Sequence, residues 1–576
     1  MKTTVDRRRW LQGAAFAAGA IGATGAAAAA SPATTVAKGR SKTDYGPALK
    51  AIAAYAEVHR HEFGLPGMSL AFADQDGWRA TLTLGLSDME RKTPVKPDQL
   101  FQIGSISKSF IALVILKLAE EGKLRLDDVV ADLMPDLPLA KAPRFTVLNL
   151  LNHTAGLPDD APLFPPGGLW CGFPPGSRMS YSNTGYEILG LITEKIDGRP
   201  YAESERERVM KPLGMTATRT LIKDSERALY ALGYSPLYRD RRYMRRDSLA
   251  SGPWTPMNKA SGSVASTPGD MSLYLAFIIG AGQGKGGAVF SDASARQFTT
   301  APPVESHEFG PGAHYASGIG LVPFGGRTLI HHTGGMLTFS SSFHVDAAAG
   351  VGAFASTNCR VSPGYRPRLI TAWACQVLAA ARAGQPFPKP PPIPPMAPPE
   401  PKDVTPAPLV SQAGDTIALE VTGGAMRARW NGKPVRVEKA GADAYVLADP
   451  KLQILPVTLE RKDGKVVAAW WGPVRYAADP AMRTPSPVPA ALRPLEGRYD
   501  SDDSWGPGLN RVIARGDALT IDGETPLVPL PDGSYRLGAE EWGCERVRFE
   551  APLNGHMQRM LVSGADIERT GAALDD

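Results

Sequence analysis

Residues 101–122 read FQIGSISKSFIALVILKLAEEG. The segment predicts a helix and contains the residue types of a nucleophilic site. From residue 109 onward it is largely apolar and it closes on Gly122, which predicts a helix buried on most sides. We expect Ser105 in the first turn and Lys108 one turn later, so that the two side chains can touch. A buried lysine can take the proton that makes a serine hydroxyl nucleophilic. The S-x-x-K pattern alone is weak evidence, because it arises about once by chance in a chain of this length.

Two further short motifs follow along the chain. Tyr181 and Asn183 form a Y-x-N pattern where a Pro/Gly loop turns into an apolar helix, and HTGG at residues 332–335 ends a strand-like run. Each motif has an ordinary alternative: a packed tyrosine, a histidine at the end of a strand, or a β-bulge. Their order and their positions at element boundaries make the set far more specific than any single member.

In this order the motifs resemble those of the serine β-lactamase-like hydrolases, which include class C β-lactamases, DD-peptidases, D-aminopeptidases and esterases. The similarity covers about residues 42–384 and extends to TVLNLLNHTAGL at residues 146–157 and KASGSVASTPGD at residues 259–270. The resemblance implies an α/β fold of the α+β type, with one antiparallel sheet flanked by helices. Strand-like runs near both ends of the region, including one at residues 315–322, agree with that fold.

The resemblance also implies roles for the motif residues. Ser105 would attack a carbonyl to form an acyl-enzyme, and the backbone N–H groups of Ser105 and Gly335 would hold the oxyanion. Either Lys108 or Tyr181 would be the base. Both side chains have an ordinary pKa of about 10, so the pKa of one must be shifted by the charge of the other or by burial. Asn183 would bind the substrate amide or keep Lys108 in place. The substrate-binding set is Asn183, His332, Thr333 and Gly334.

His332 departs from the β-lactamase pattern, which has a lysine there as the counter-charge to a substrate carboxylate. We expect a histidine to titrate near neutrality and to give a weaker, pH-dependent charge. Esterase and D-aminopeptidase members often carry histidine at this position. The predicted function is therefore a serine hydrolase acting on D-amino-acid peptides, esters or related acyl substrates. The alternatives are a peptidoglycan- or penicillin-binding protein with weak turnover, and a β-lactamase.

The positions of the 52 prolines predict the domain organisation. Residues 385–408 are about half proline, so they predict an extended, semi-rigid linker after the catalytic domain at residues 42–384. Beyond the linker, short alternating runs between turn signals are typical of β-barrels. A turn-rich junction divides that part into two predicted barrels at residues 409–485 and 490–576. An aromatic and proline-rich loop at residues 164–173 is a candidate wall of an acyl pocket.

Residues 1–30 predict an export signal. Arg7 and Arg8, followed by Arg9, Trp10 and Leu11, resemble the twin-arginine pattern. A Gly/Ala-rich stretch then ends at a small-residue cleavage site. A membrane anchor is the alternative, but alanine and glycine are weakly apolar for a bilayer span. We therefore expect a periplasmic or secreted mature protein with no membrane span after removal of the signal.

The formal net charge of +5 gives no reason to expect a nucleic-acid partner. Much of that excess comes from the arginines of the predicted signal. The expected partner is a small-molecule or peptide substrate, and the sequence leaves the oligomeric state open. No metal or other cofactor is expected, because the four cysteines are scattered without the spacing of a metal site.

Overall fold

The computed structural model describes residues 33–37, 39, 41–139, 142–300, 304–360, 365–501 and 509–574. The export signal predicted at residues 1–30 lies outside the described residues. Within the described ranges, no helix combines the length and the apolar character needed to cross a membrane.

An antiparallel sheet forms the centre of the first region, which confirms the predicted fold class. The strands of this region are β1 Ala33–Ala37, β2 Gly67–Asp74, β3 Arg79–Asp88, β4 Thr93–Pro94, β5 Phe101–Gln102, β6 Tyr234–Pro236, β7 Leu249–Ser251, β8 Ala265–Ser266, β9 His314–Tyr315, β10 Gly320–Phe324, β11 Arg327–Gly335, β12 Ser340–Asp346 and β13 Val351–Thr357. The main sheet has the order β1-β3-β2-β13-β12-β11-β10-β9, with β4 beside β3. The pairing of β2 with β13 joins the two ends of the region.

Helices cover both faces of this sheet. They are α1 Gly46–Phe63, α2 Ser107–Glu120, α3 Val130–Leu133, α4 Val147–Leu151, α5 Asn183–Asp197, α6 Tyr201–Glu205, α7 Lys211–Leu213, α8 Pro268–Gly282, α9 Asp292–Thr299 and α10 Arg368–Arg382. Side chains of β2 alternate between two cores, as the period of a strand requires. Leu70 and Phe72 pack with α1 and α10, whereas Ala71 and Ala73 face α2 and α8.

The helix α2 is buried along most of its length, as the apolar run predicts. Residues 107–116 and Leu118 are all buried. Each fully buried aliphatic side chain contributes roughly 1.5–3 kcal/mol relative to an exposed one. Ser105 lies in the 3-10 turn Gly104–Ile106 immediately before α2 rather than within its first turn. Packing of α2 therefore fixes the position of Ser105 and of Lys108 together.

The strand predicted at residues 315–322 is divided into β9 and β10. Between them Ala316 N–H donates to Ile319 O at 2.8 Å, which closes a turn. Gly318 has a φ of +78°, and a Cβ there would lie 2.8 Å from Ala112 Cβ of α2. The interruption lies where the chain passes directly over the buried helix, and glycine permits that approach.

The proline-rich segment at residues 385–408 contains no α-helix or strand, only a 3-10 turn at Pro401–Asp403, and it packs on the first region. Tyr55 of α1 donates its hydroxyl to Pro391 O at 2.9 Å, and Trp373 Nε1 of α10 donates to Pro388 O at 3.1 Å. Since proline carbonyls have no ladder partner in such a segment, these side chains satisfy two of them. The linker therefore runs along the helices of the first region.

The part of the chain beyond the linker is all-β, as predicted. A nine-stranded antiparallel sheet contains β14 Leu409–Ser411, β15 Thr416–Thr422, β16 Ala425–Trp430, β17 Lys433–Val435, β18 Val437–Gly441, β19 Ala444–Leu447, β20 Val457–Lys462, β21 Lys465–Trp471 and β22 Val474–Ala477. A closed barrel follows, with β23 Gly497–Asp500, β24 Asn510–Arg515, β25 Ala518–Ile521, β26 Thr525–Pro529, β27 Tyr535–Leu537, β28 Arg546–Leu553, β29 His556–Val562 and β30 Ala565–Gly571.

Ion pairs hold both β-rich parts against the first region. Arg242 Nη2 lies 2.6 Å from Glu524 Oε2 and 3.3 Å from Asp522 Oδ2 of the closed barrel. Arg245 Nε lies 3.3 Å from Glu438 Oε1 of the nine-stranded sheet. Several partly buried pairs of this kind fix an interface better than an isolated exposed pair does.

Candidate active site

The structure brings Ser105 and Lys108 together. Lys108 Nζ donates to Ser105 Oγ at 3.3 Å, to Ser261 O at 3.0 Å and to Asn183 Oδ1. The Lys108 side chain is completely buried. Burial lowers the pKa of Lys108 below its ordinary value of 10.5, because the charged amine loses its hydration. An amine whose charge is disfavoured beside a hydroxyl is suited to accept the hydroxyl proton.

Tyr181 also lies next to Ser105. Its hydroxyl is buried and completes no hydrogen bond with any described residue, although Ser105 is near enough to interact with it. Lys108 Nζ lies 4.8 Å from the centroid of the Tyr181 ring. Burial raises the pKa of Tyr181 well above 10, so the phenol stays protonated near neutral pH. The phenol can therefore carry a proton but is a poor base at rest.

Close contact between β11 and the Ser105 turn requires glycine. Gly104 has a φ of +55°, and a Cβ on it would lie 2.8 Å from the nitrogen and the oxygen of Gly335. A Cβ on Gly334 would lie 1.7 Å from Ile103 O. This contact sets the Gly335 backbone beside Ser105, where two N–H groups can face one oxyanion. Gly334 packs against the backbone of Ile103 and is not among the residues that line the cavity described below, so its contact with substrate stays a prediction.

A cavity of about 190 Å³ opens over Ser105. It is lined by Ser105, Tyr181, Glu308, Phe309, His332, Thr333, Gly335, Arg366 and Arg368. Arg366 donates to Tyr365 O at 2.9 Å and to Ser340 Oγ at 3.4 Å. No acidic side chain in the described part of the chain forms an ion pair with Arg366 or Arg368. The cavity therefore has two guanidinium groups and one carboxylate, that of Glu308, which accepts from the Tyr181 backbone N–H at 3.0 Å.

His332 does not supply the expected titrating charge. It is buried, with Nδ1 2.6 Å from Thr333 O and Nε2 2.9 Å from the Tyr315 hydroxyl. Since a carbonyl can only accept, Nδ1 donates and Nε2 accepts from Tyr315. Burial lowers the pKa of His332 to about 3, so the ring is neutral near neutral pH. The expectation that it titrates near neutrality is therefore wrong.

Asn183 binds protein groups on both ends of its amide. Its Nδ2 donates to Asp159 Oδ1 at 3.0 Å and to Asp160 Oδ2 at 3.2 Å, while its Oδ1 accepts from Lys108. Its backbone N–H donates to Asp159 Oδ1 at 3.2 Å. Of the two predicted roles, the geometry has Asn183 keep Lys108 in place. Asn183 is not among the residues that line the cavity, and its contact with substrate stays a prediction.

Other residues that fix the site were not recognised from the sequence. Glu187, one turn after Asn183 on α5, accepts hydrogen bonds from the backbone N–H and the hydroxyl of Ser261. The Ser261 carbonyl oxygen in turn accepts a hydrogen bond from Lys108 Nζ. His153 packs with its ring centroid 4.3 Å from that of Tyr181, and its Nδ1 accepts from Ser182 N–H at 3.1 Å. Glu187 could have been found from the sequence, because it lies four positions after Asn183 and therefore on the same helix face.

The loop at residues 164–173 faces the closed barrel. Trp170 Nε1 donates to Cys544 O at 2.8 Å, and a Cβ on Gly172 would lie 2.9 Å from Cys544 Sγ. Within the described ranges, no residue of this loop lines the cavity over Ser105. A loop of the barrel packs against this segment, and its role as a wall of an acyl pocket stays a prediction.

A family model and several curated proteins match this chain. The model of the family described as "Beta-lactamase" matches residues 51–378. The chain is 33% identical over 192 residues to penicillin-binding protein 4 of Amycolatopsis lactamdurans, covering 30% of this chain and 50% of that protein. It is 34% identical over 189 residues to penicillin-binding protein 4* of Bacillus subtilis (strain 168), covering 29% and 41%. The chain thus spans about half the length of the curated relatives it matches.

A solved structure shares the fold over a longer part of the chain. The octameric penicillin-binding protein homologue from Pyrococcus abyssi superposes with a TM-score of 0.52 at 24% identity. The superposition covers 74% of this chain and 99% of the other. At this level of identity the likeness shows a common fold alone.

Proposed function

The chain belongs to the β-lactamase family, and from that membership we propose that it is a serine hydrolase that cleaves amide or ester bonds through an acyl-enzyme. The resemblance inferred from the motifs is thereby confirmed at the level of the family. The observation that carries the proposal is the 3.3 Å contact between Ser105 Oγ and the buried Lys108 Nζ. It places a nucleophile in the 3-10 turn before α2 beside a base in α2 itself.

In the proposed reaction Lys108 is the base for acylation. The Ser105 oxygen bonds to the carbonyl carbon while its proton passes to Lys108 Nζ. The carbonyl oxygen becomes an oxyanion that accepts from the N–H groups of Ser105 and Gly335. When the bond to the leaving nitrogen or oxygen breaks, the proton moves from Lys108 through the Tyr181 hydroxyl to that leaving atom. Attack by water on the acyl carbon then releases the acid and restores the serine.

The charges of the cavity support an anionic substrate. His332 is neutral, whereas Arg366 and Arg368 bring two guanidinium groups against the one carboxylate of Glu308. Among the described residues neither arginine forms an ion pair with an acidic side chain. A guanidinium binds a carboxylate through two parallel hydrogen bonds. We infer that the preferred substrate is an acyl compound, such as a D-amino-acid peptide, that places a carboxylate near Arg366.

A substrate panel tests the proposed function. Purified protein is assayed with a p-nitrophenyl ester, a D-alanyl anilide and a chromogenic cephalosporin, and the covalent adduct is followed by intact mass. We expect multiple turnovers on the ester or the anilide. One equivalent of acylation without turnover would favour the penicillin-binding alternative, and preference for the cephalosporin would favour the β-lactamase alternative.

Removal of the Arg366 charge should affect anionic substrates selectively. We expect Arg366→Ala to raise KM about tenfold or more for a D-alanyl peptide with a free carboxylate, because a charge-assisted hydrogen bond contributes roughly 1.5–3 kcal/mol. The same peptide with a C-terminal amide should change less than about twofold in KM. Steady-state kinetics on the two peptides provides the comparison. Equal losses on both would show that Arg366 shapes the site instead of binding charge.

We also propose that the protein is exported through the twin-arginine route. The support is the sequence at residues 7–11 and the Gly/Ala-rich stretch that follows. We expect replacement of Arg7 and Arg8 together by lysine to retain the full-length chain in the cytoplasm. Immunoblots of cell fractions measure this, with replacement of Lys2 by arginine as the control. Unchanged export of the double variant would contradict the proposal.

A further inference from the structure

A loop of the closed barrel reaches the segment that precedes the catalytic tyrosine. This barrel loop, residues 538–545, connects β27 to β28. The Arg178 guanidinium lies 4.9 Å from the centroid of the Trp542 ring, and Cys544 Sγ lies 3.9 Å from Ser180 Oγ. Tyr181 follows directly after these residues. The barrel therefore contacts the loop that leads into the active site.

One contact of the barrel loop begins a chain of hydrogen bonds that ends at Lys108. The backbone N–H of Asp159 donates to Glu545 Oε1 at 2.7 Å. The Asp159 carboxylate in turn accepts from Asn183, and Asn183 accepts from Lys108. Three successive hydrogen-bonded links thus join the barrel to the amine beside Ser105.

Both ends of this connection are anchored. On the barrel side, Glu545 Oε2 accepts from Ser563 in the turn between β29 and β30, and Leu537 N–H donates to Glu545 O at 3.1 Å. On the catalytic side, the Asp159 carbonyl accepts from Thr184 N–H at 2.8 Å. Asp159 lies outside any helix or strand, so its position depends on these partners.

We propose that Glu545 of the closed barrel is a positioning residue for Lys108, holding Asp159 so that the Asn183 amide oxygen stays on the lysine. The proposal rests on the proposed function, in which Lys108 is the base. It assigns the barrel a part in completing the active site, since the carboxylate that fixes Asp159 comes from outside the family-matched region, residues 51–378. Small displacements of a catalytic group lower the rate of the chemical step far more than they lower substrate binding.

The test compares three variants of the full chain: Glu545→Ala, Glu545→Gln and Glu540→Ala. Glutamine keeps an oxygen that can accept from Asp159 N–H, whereas alanine removes it. Glu540 is an exposed residue of the same barrel loop and serves as the matched control. The rate of Ser105 phosphonylation by a fluorophosphonate, and kcat and KM for p-nitrophenyl acetate, are measured below the melting transition of each variant, so that unfolding is not counted as lost chemistry.

We expect Glu545→Ala to lower the phosphonylation rate and kcat about tenfold with KM changed less than about twofold. Glu545→Gln and Glu540→Ala should stay within about twofold of the wild type. Wild-type rates in Glu545→Ala would overturn the proposal, as would an equal loss in Glu545→Ala and Glu545→Gln or in Glu540→Ala. If the wild-type protein is not acylated at Ser105, the proposed function itself fails, which is a separate result.

Discussion

Replacement of Ser105 by alanine is expected to lower kcat/KM at least about 10³-fold and to abolish covalent labelling by a fluorophosphonate. The reason is that the variant loses the atom that forms the bond to the acyl carbon. Binding and the oxyanion N–H groups would remain, so a small residual rate over water is expected. Ser105 Oγ receives a hydrogen bond from Lys108, which keeps Ser261 and Asn183 as partners in the variant. The fold should therefore be retained.

Intact mass spectrometry measures the labelling directly. Wild-type protein should gain the mass of one phosphonyl group, and Ser105→Ala should gain none. Ser177→Ala, an exposed serine in the loop before Tyr181, is the matched control and should label as the wild type does. A stoichiometric adduct on Ser105→Ala would locate the nucleophile elsewhere and contradict the proposed mechanism.

The features that could be predicted from the sequence are those set by neighbours along the chain. The contact between Ser105 and Lys108 follows from three residues of helical spacing, and the apolar run after them decides that α2 is buried. The prolines at residues 385–408 exclude helix whatever they pack against.

The features that could not be predicted depend on contacts between distant parts of the chain. The charge of His332 is decided by burial and by Tyr315, which the sequence around residue 332 does not show. Arg366 reaches the cavity from the segment before α10, and no local pattern marks it. Glu545 meets Asp159 across 386 residues of chain. Short motifs therefore indicate candidate reacting groups, whereas the residues that position them and set their charge become visible only in the folded structure.

From the residue types alone, either Lys108 or Tyr181 could be the base. Burial lowers the pKa of Lys108 and raises that of Tyr181, so near neutral pH the lysine is the better proton acceptor. A base acts in its deprotonated form. The rate should therefore rise with pH to a plateau, with a midpoint below the 10.5 of an ordinary lysine, and should fall as pH drops through that midpoint.

We expect Lys108→Met to lower kcat/KM about 10²- to 10⁴-fold, because methionine fills the buried space but cannot accept a proton. The dependence on the lysine pKa should disappear from its pH profile. Tyr181→Phe should lose less in acylation and should keep the rising limb, because Lys108 remains. Pre-steady-state acylation rates across pH measure both variants. If Lys108→Met retains the limb and Tyr181→Phe loses it, the tyrosine is the base, since the limb belongs to the group whose deprotonation starts the reaction.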